Sequence, residues 1–177
     1  MTAHPLTHDD VGHEAGHRTL REALIVGALG ATAVALWFLL VDTAAGRPLY
    51  TPSFLGQAVA AAVGGAAPQA EVSLPHAALY TLIHYAAFTA VGFVGVQIVH
   101  ASRRQPALLA LVLLAFAAFE VAFVGLVALL QLTRVGGIAW THVAVGNLLA
   151  AVSMGVYLWR THPMLVGDFA RGVGGPD

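Results

Sequence analysis

Three residues able to do chemistry lie inside runs of apolar sequence: His84, Glu120 and His142. A ring nitrogen of histidine binds transition metals and haem iron, and a carboxylate completes the two-nitrogen, one-oxygen set that zinc, iron or copper accepts. The same trio could also pass a proton, with Glu120 exchanging with a histidine. An ionisable group in hydrocarbon costs about 3 kcal/mol or more, so such groups face a bundle interior, a partner or a cofactor. Asp42, slightly above this layer, and Asn147, about one turn inward of His142, are placed to hydrogen-bond and orient the ligating side chains.

The elements that must position these groups are membrane spans. The chain has 177 residues, of which 58% are hydrophobic and 10% charged. Four apolar runs, 23–41, 77–99, 107–130 and 138–159, each approach or exceed the ~20 residues that cross a hydrocarbon core. All eight basic residues are arginines. Arg18, Arg21, Arg103, Arg104, Arg160 and Arg171 mark one side, and Arg47 and Arg134 the other. The positive-inside rule then puts both termini in the cytoplasm of a bacterium and the loop 42–75 outside. The expected fold is all-α: a membrane-embedded four-helix up-down bundle, multi-pass in the inner membrane. Residues 1–20 read as a disordered, His-rich tail, 21–162 as the transmembrane domain, and 163–177 as a second cytoplasmic tail. His4, His8, His13 and His17 in the first tail are loose metal-binding candidates at most.

Counted at ~1.5 Å per residue from the nearest boundary arginine, His84, His142 and Glu120 lie roughly 28, 27 and 24 Å away, one layer in the outer half of the membrane. Spans two and four would run parallel and diagonally across the bundle. This resembles the way cytochrome b-type bundles hold haem b between histidines of two helices. His100 has Leu158 at its matching level on span four, so a second haem is not indicated. Against all cofactor readings stands a structural one, in which the three polar residues hydrogen-bond neighbouring helices and only set their packing. The chain would then be an accessory or assembly subunit of a membrane complex.

In the outer loop, Thr51 can cap a helix and Pro52 suits its first position. Phe54, Leu55, Ala58, Val59, Ala62 and Val63 recur on one face. A short surface helix ending at Gly64 and Gly65 is expected, packed by this apolar stripe as a cap or lid over the bundle. Three stretches, GRPLYTPSFLG, YTLIHYAAF and GNLLAAVSMGVYLWRTHP, resemble those of an uncharacterised family of bacterial four-span integral membrane proteins. The resemblance implies topology and no chemistry.

There is no cysteine, which excludes disulfides and thiolate metal sites. The sequence shows no phosphate loop, nucleophile constellation or nucleic-acid patch, so nothing in it argues for catalysis. The expected partners are the lipid bilayer and other membrane subunits or a second copy of the chain.

Overall fold

The computed structural model describes residues 8–102 and 140–162, with side chains from Gly16 onward and excepting those of residues 102 and 140. It is built of helices: α1 (His8–Ala44), α2 (Tyr50–Ala62), α3 (Leu74–Ser102) and α4 (Trp140–Thr161). Three segments, Gly16–Ala44, Leu74–Ala101 and Thr141–Thr161, are long and apolar enough to cross a membrane. These correspond to the first, second and fourth expected spans. The third, 107–130, lies outside the described residues. α1 starts at His8, inside the segment whose composition reads as a tail. A helix already nucleated by a span extends outward at little cost, because each added residue brings its own hydrogen bond.

Among the described helices α1 is the central one. It packs against both α3 and α4, which touch each other only slightly. Both run antiparallel to it: Thr32 Oγ1 meets Tyr85 Oη at 2.9 Å on α3, and Trp37 Nε1 donates to the His142 carbonyl at 2.8 Å on α4. Close approach depends on missing side chains. A Cβ on Gly92 would come 2.5 Å from the Ala23 carbonyl oxygen, and one on Gly27 would come 2.6 Å from the Phe88 carbonyl oxygen. The α1–α3 seam is thus backbone against backbone, the arrangement by which helices associate without a hydrophobic driving force. At its lower end Ala23, Val26 and Val96 form a buried apolar cluster, joined by Met154, Tyr157 and Leu158 of α4. Large apolar residues such as Leu36, Leu40, Leu82, Leu148 and Trp159 point outward, as expected where the surrounding medium is lipid.

The surface helix exists, but its start and its inward face differ from expectation. It begins at Tyr50 behind Leu49, which has a left-handed backbone (φ 66°) and gives no side-chain cap. The cap comes from the preceding helix: Asp42 accepts from Thr51 N and from Thr51 Oγ1, both at 2.7 Å. Pro52 falls within the first turn, where its missing N–H would have had no helical partner anyway. The buried residues of α2 are Thr51, Ser53, Gly56 and Gln57, not the apolar stripe. Gln57 Oε1 accepts from Gln69 N at 2.7 Å, and its Nε2 donates to the Glu71 carbonyl at 3.1 Å. Ser53 Oγ accepts from Ser73 N at 2.7 Å. The polar face turns inward because Ser53 and Gln57 supply hydrogen-bond partners to backbone groups of the returning segment at Gln69, Glu71 and Ser73.

Asp42 is 4% exposed and both its oxygens are committed to Thr51. Asp42→Ala should therefore strip two bonds from the α1–α2 junction and lower stability by about 2 kcal/mol. Limited proteolysis of the 42–75 loop in detergent should accelerate, and an unchanged cleavage rate would show that the junction does not depend on this carboxylate.

Candidate functional site

The ends of the three membrane-length helices converge at the side marked by Arg18, Arg21 and Arg160. Glu22 lies near the start of the α1 membrane segment, His100 in the last turn of α3, and His162 directly after α4. His162 Nε2 lies 2.5 Å from Glu22 Oε1, and His100 Nε2 lies 3.8 Å from Glu22 Oε2. One ligand atom from each of the three lies within 4.8 Å of every other. The two rings meet edge to face, with centroids 5.6 Å apart.

The position of each group follows from the packing beneath it. Glu22 precedes Ala23, which is fully buried, so the carboxylate sits at the rim of the apolar cluster. Val99 and Val96 fasten α3 to the same cluster side and carry His100 with them. His162 is 9% exposed, and its backbone N–H donates to the Leu158 carbonyl at 2.9 Å, continuing the α4 hydrogen-bond ladder. Side-chain exposure rises from 9% at His162 through 17% at Glu22 to 35% at His100, so the cluster is open to one side.

Chemically this is two imidazoles and a carboxylate. Bonds of ~2.0–2.1 Å in a tetrahedron put ligand atoms about 3.4 Å apart. The 3.8 Å His100–Glu22 spacing is near that value, and the 2.5 Å contact of His162 with the other Glu22 oxygen would have to lengthen around an ion. Without an ion, the same residues form a latch across three helix ends, with His162 hydrogen-bonded to Glu22 and His100 in ion-pair range of it at 3.8 Å.

The two intramembrane histidines are arranged differently. His84 Nε2 donates to the Ala31 carbonyl of α1 at 3.1 Å, and its ring packs on Phe88 with centroids 4.7 Å apart. His142 lies against Trp37, with ring centroids 5.8 Å apart. Ala31 and Trp37 are six residues apart on α1, so the histidines differ in height by roughly 9 Å. The count from the arginines put them level because it took Arg103 and Arg160 as equivalent. In the structure His162, not Leu158, is the partner of His100, which displaces α4 by about one turn. Glu120 lies outside the described residues. Asp42 serves α2, as described above, and Asn147 is half-buried on α4.

Sequence reasoning passed over Glu22 and His162, and treated His100 only as an unmatched haem ligand. A signal was present. Each of the three sits beside a boundary arginine, and an antiparallel arrangement brings those ends together. No protein family, curated protein or solved structure compared with the chain matches it.

Proposed function

We propose that this is a small integral inner-membrane protein that binds a divalent transition-metal ion, zinc above all, at Glu22, His100 and His162 on its cytoplasmic face. The observation that carries the reading is the convergence of three ligating side chains from three helices within 4.8 Å. The donor set is one that zinc accepts, and three protein ligands leave a fourth position for water or an incoming group. His100, the most exposed of the three, lies on the route by which an ion would enter.

Nearby arginines oppose a cation, and their weight can be estimated. Arg18, Arg21 and Arg160 are exposed. In water a charge pair even at 4 Å is worth about 1 kcal/mol, and salt screens it over ~8 Å. Structural zinc binding is worth ~10 kcal/mol or more, so the arginines tune the affinity without abolishing it. The same arginines support placing this end in the cytoplasm.

For His84 and His142 the contacts favour the packing role. The His84 ring bonds the Ala31 carbonyl of α1, and the His142 ring packs against Trp37 of α1. Haem b between these two, and iron or copper at a set including Glu120, remain readings of the sequence pattern without a supporting contact among the described residues.

Protein purified in detergent, stripped with a chelator and titrated with zinc is expected to take up one equivalent. Cobalt in its place should show the visible bands of a four-coordinate site with nitrogen and oxygen ligands. No saturable uptake of either ion would overturn the proposal and leave the three residues as a latch.

A further inference from the structure

At the opposite end of α1 a cavity of about 180 Å³ opens between α1, α2 and α3. Its walls are largely apolar: Val34, Phe38 and Leu39 from α1 and Leu49, Pro52 and Leu55 from the α2 end, with Thr51 of α2 and Tyr80, Thr81 and His84 of α3 as the polar exceptions. Of these, Thr81 Oγ1 already donates to the Ala77 carbonyl at 2.8 Å and Thr51 Oγ1 to Asp42 at 2.7 Å. The Tyr80 hydroxyl has no partner among the described residues. His84 is half satisfied. The Ala31 carbonyl can only accept, so Nε2 carries the proton of that bond and Nδ1 of the neutral ring is left as an acceptor.

In a membrane segment an unpaired hydroxyl and an unpaired ring nitrogen are costly, because lipid offers neither donor nor acceptor. Two such atoms in residues lining one cavity call for a common occupant. That occupant must present an acceptor to Tyr80 and a donor to His84, and carry an apolar body. Aromatic surfaces further narrow the class: Tyr80 and His84 stack on α3 with ring centroids 5.7 Å apart and planes 28° from parallel, and Phe38 of α1 lines the same cavity. Aromatic walls of this kind favour a flat ring as ligand. The rim adds an independent sign of function. Leu49 holds a left-handed backbone, rare for a branched residue and costing about 1–3 kcal/mol, and this places it on the cavity wall.

We infer that the cavity bounded by Tyr80, His84 and the start of α2 binds a lipid-soluble quinol or phenol, with one ring oxygen accepting from Tyr80 and a ring hydroxyl donating to His84 Nδ1. Entry is lateral, from the outer half of the bilayer. The inference is independent of the metal site, which lies at the other end of the bundle.

The test uses the full chain in lipid nanodiscs and a decyl-substituted benzoquinol as probe, followed by quenching of tryptophan fluorescence and by native mass spectrometry. Saturable quenching with one bound molecule is expected. Tyr80→Phe should weaken it roughly five- to tenfold, the effect of one hydrogen bond. Leu55→Trp, which fills the cavity, should abolish it, with the unfolding midpoint of each variant showing that the helices still pack. Linear, unsaturable quenching equal in all variants means partition into lipid only and overturns the inference. So does a tightly held phospholipid that the quinol fails to displace, since its ester carbonyls satisfy Tyr80 but offer His84 no donor.

Discussion

Replacing Glu22 by glutamine, or His162 by alanine, is expected to lower zinc affinity by well over ~100-fold, since loss of a mere orienting partner at a metal site already costs ~10- to 100-fold. Both substitutions strike the tightest contact of the cluster, at 2.5 Å, and Gln keeps the size of Glu while removing its charge. His100→Ala should do the same, with a smaller stability effect because that side chain is the most exposed of the three. His84→Ala and His142→Ala should leave zinc affinity within about twofold, since changes at separate, unconnected sites act independently. Isothermal titration of the chelator-stripped variants reads all five. Equal affinity across the series would remove the ion from this site, and a loss confined to His84 and His142 would return it to the outer half of the membrane.

The second large effect lies in the α1–α3 seam. Gly92→Leu should prevent the two helices from closing, and even Gly92→Ala should cost about 1–3 kcal/mol, because the added carbon meets the Ala23 carbonyl oxygen at 2.5 Å and the Gly27 nitrogen at 2.7 Å. Backbone atoms cannot rotate aside as a side chain can. By contrast Gly95, which has open space around its Cβ position, should accept alanine with no measurable loss. Unfolding in a denaturing detergent series separates the two. A Gly92→Ala protein as stable as its parent would show that the helices lie farther apart than described. The same variant should also lose zinc, because Glu22 and His100 reach each other only across this seam.

Much of the architecture was legible in the residues. Long apolar runs announce membrane helices because nothing else in a chain this short needs so many consecutive apolar side chains, and α1, α3 and α4 fall where those runs lie. The surface helix was legible as an element but not in its orientation. An apolar stripe reads as a packing face in water, whereas beside lipid the apolar face can stay outside and the polar one goes in. Ser53 and Gln57 accordingly hold the 66–73 segment. The site escaped for a different reason. Counting residues gives heights only when two helices share a reference level, and an offset of one turn between α3 and α4 is invisible until their contacts are seen. That offset separates His84 from His142 and brings His162 to His100.

The bond between His162 and Glu22 joins residues 140 positions apart in the chain. A ribosome that has delivered α1, α2 and α3 has made Glu22 and His100 but not the residue that completes the trio. Loop closure over such a distance adds little free energy beyond that of a shorter loop, yet it can occur only after the α4 segment has been synthesised and inserted. The three-sided cluster therefore cannot be complete before α4 is in place. On the proposed zinc reading, a truncated or mis-inserted chain would carry two ligands and hold the ion weakly, so metal retention in the membrane fraction would distinguish finished molecules from unfinished ones.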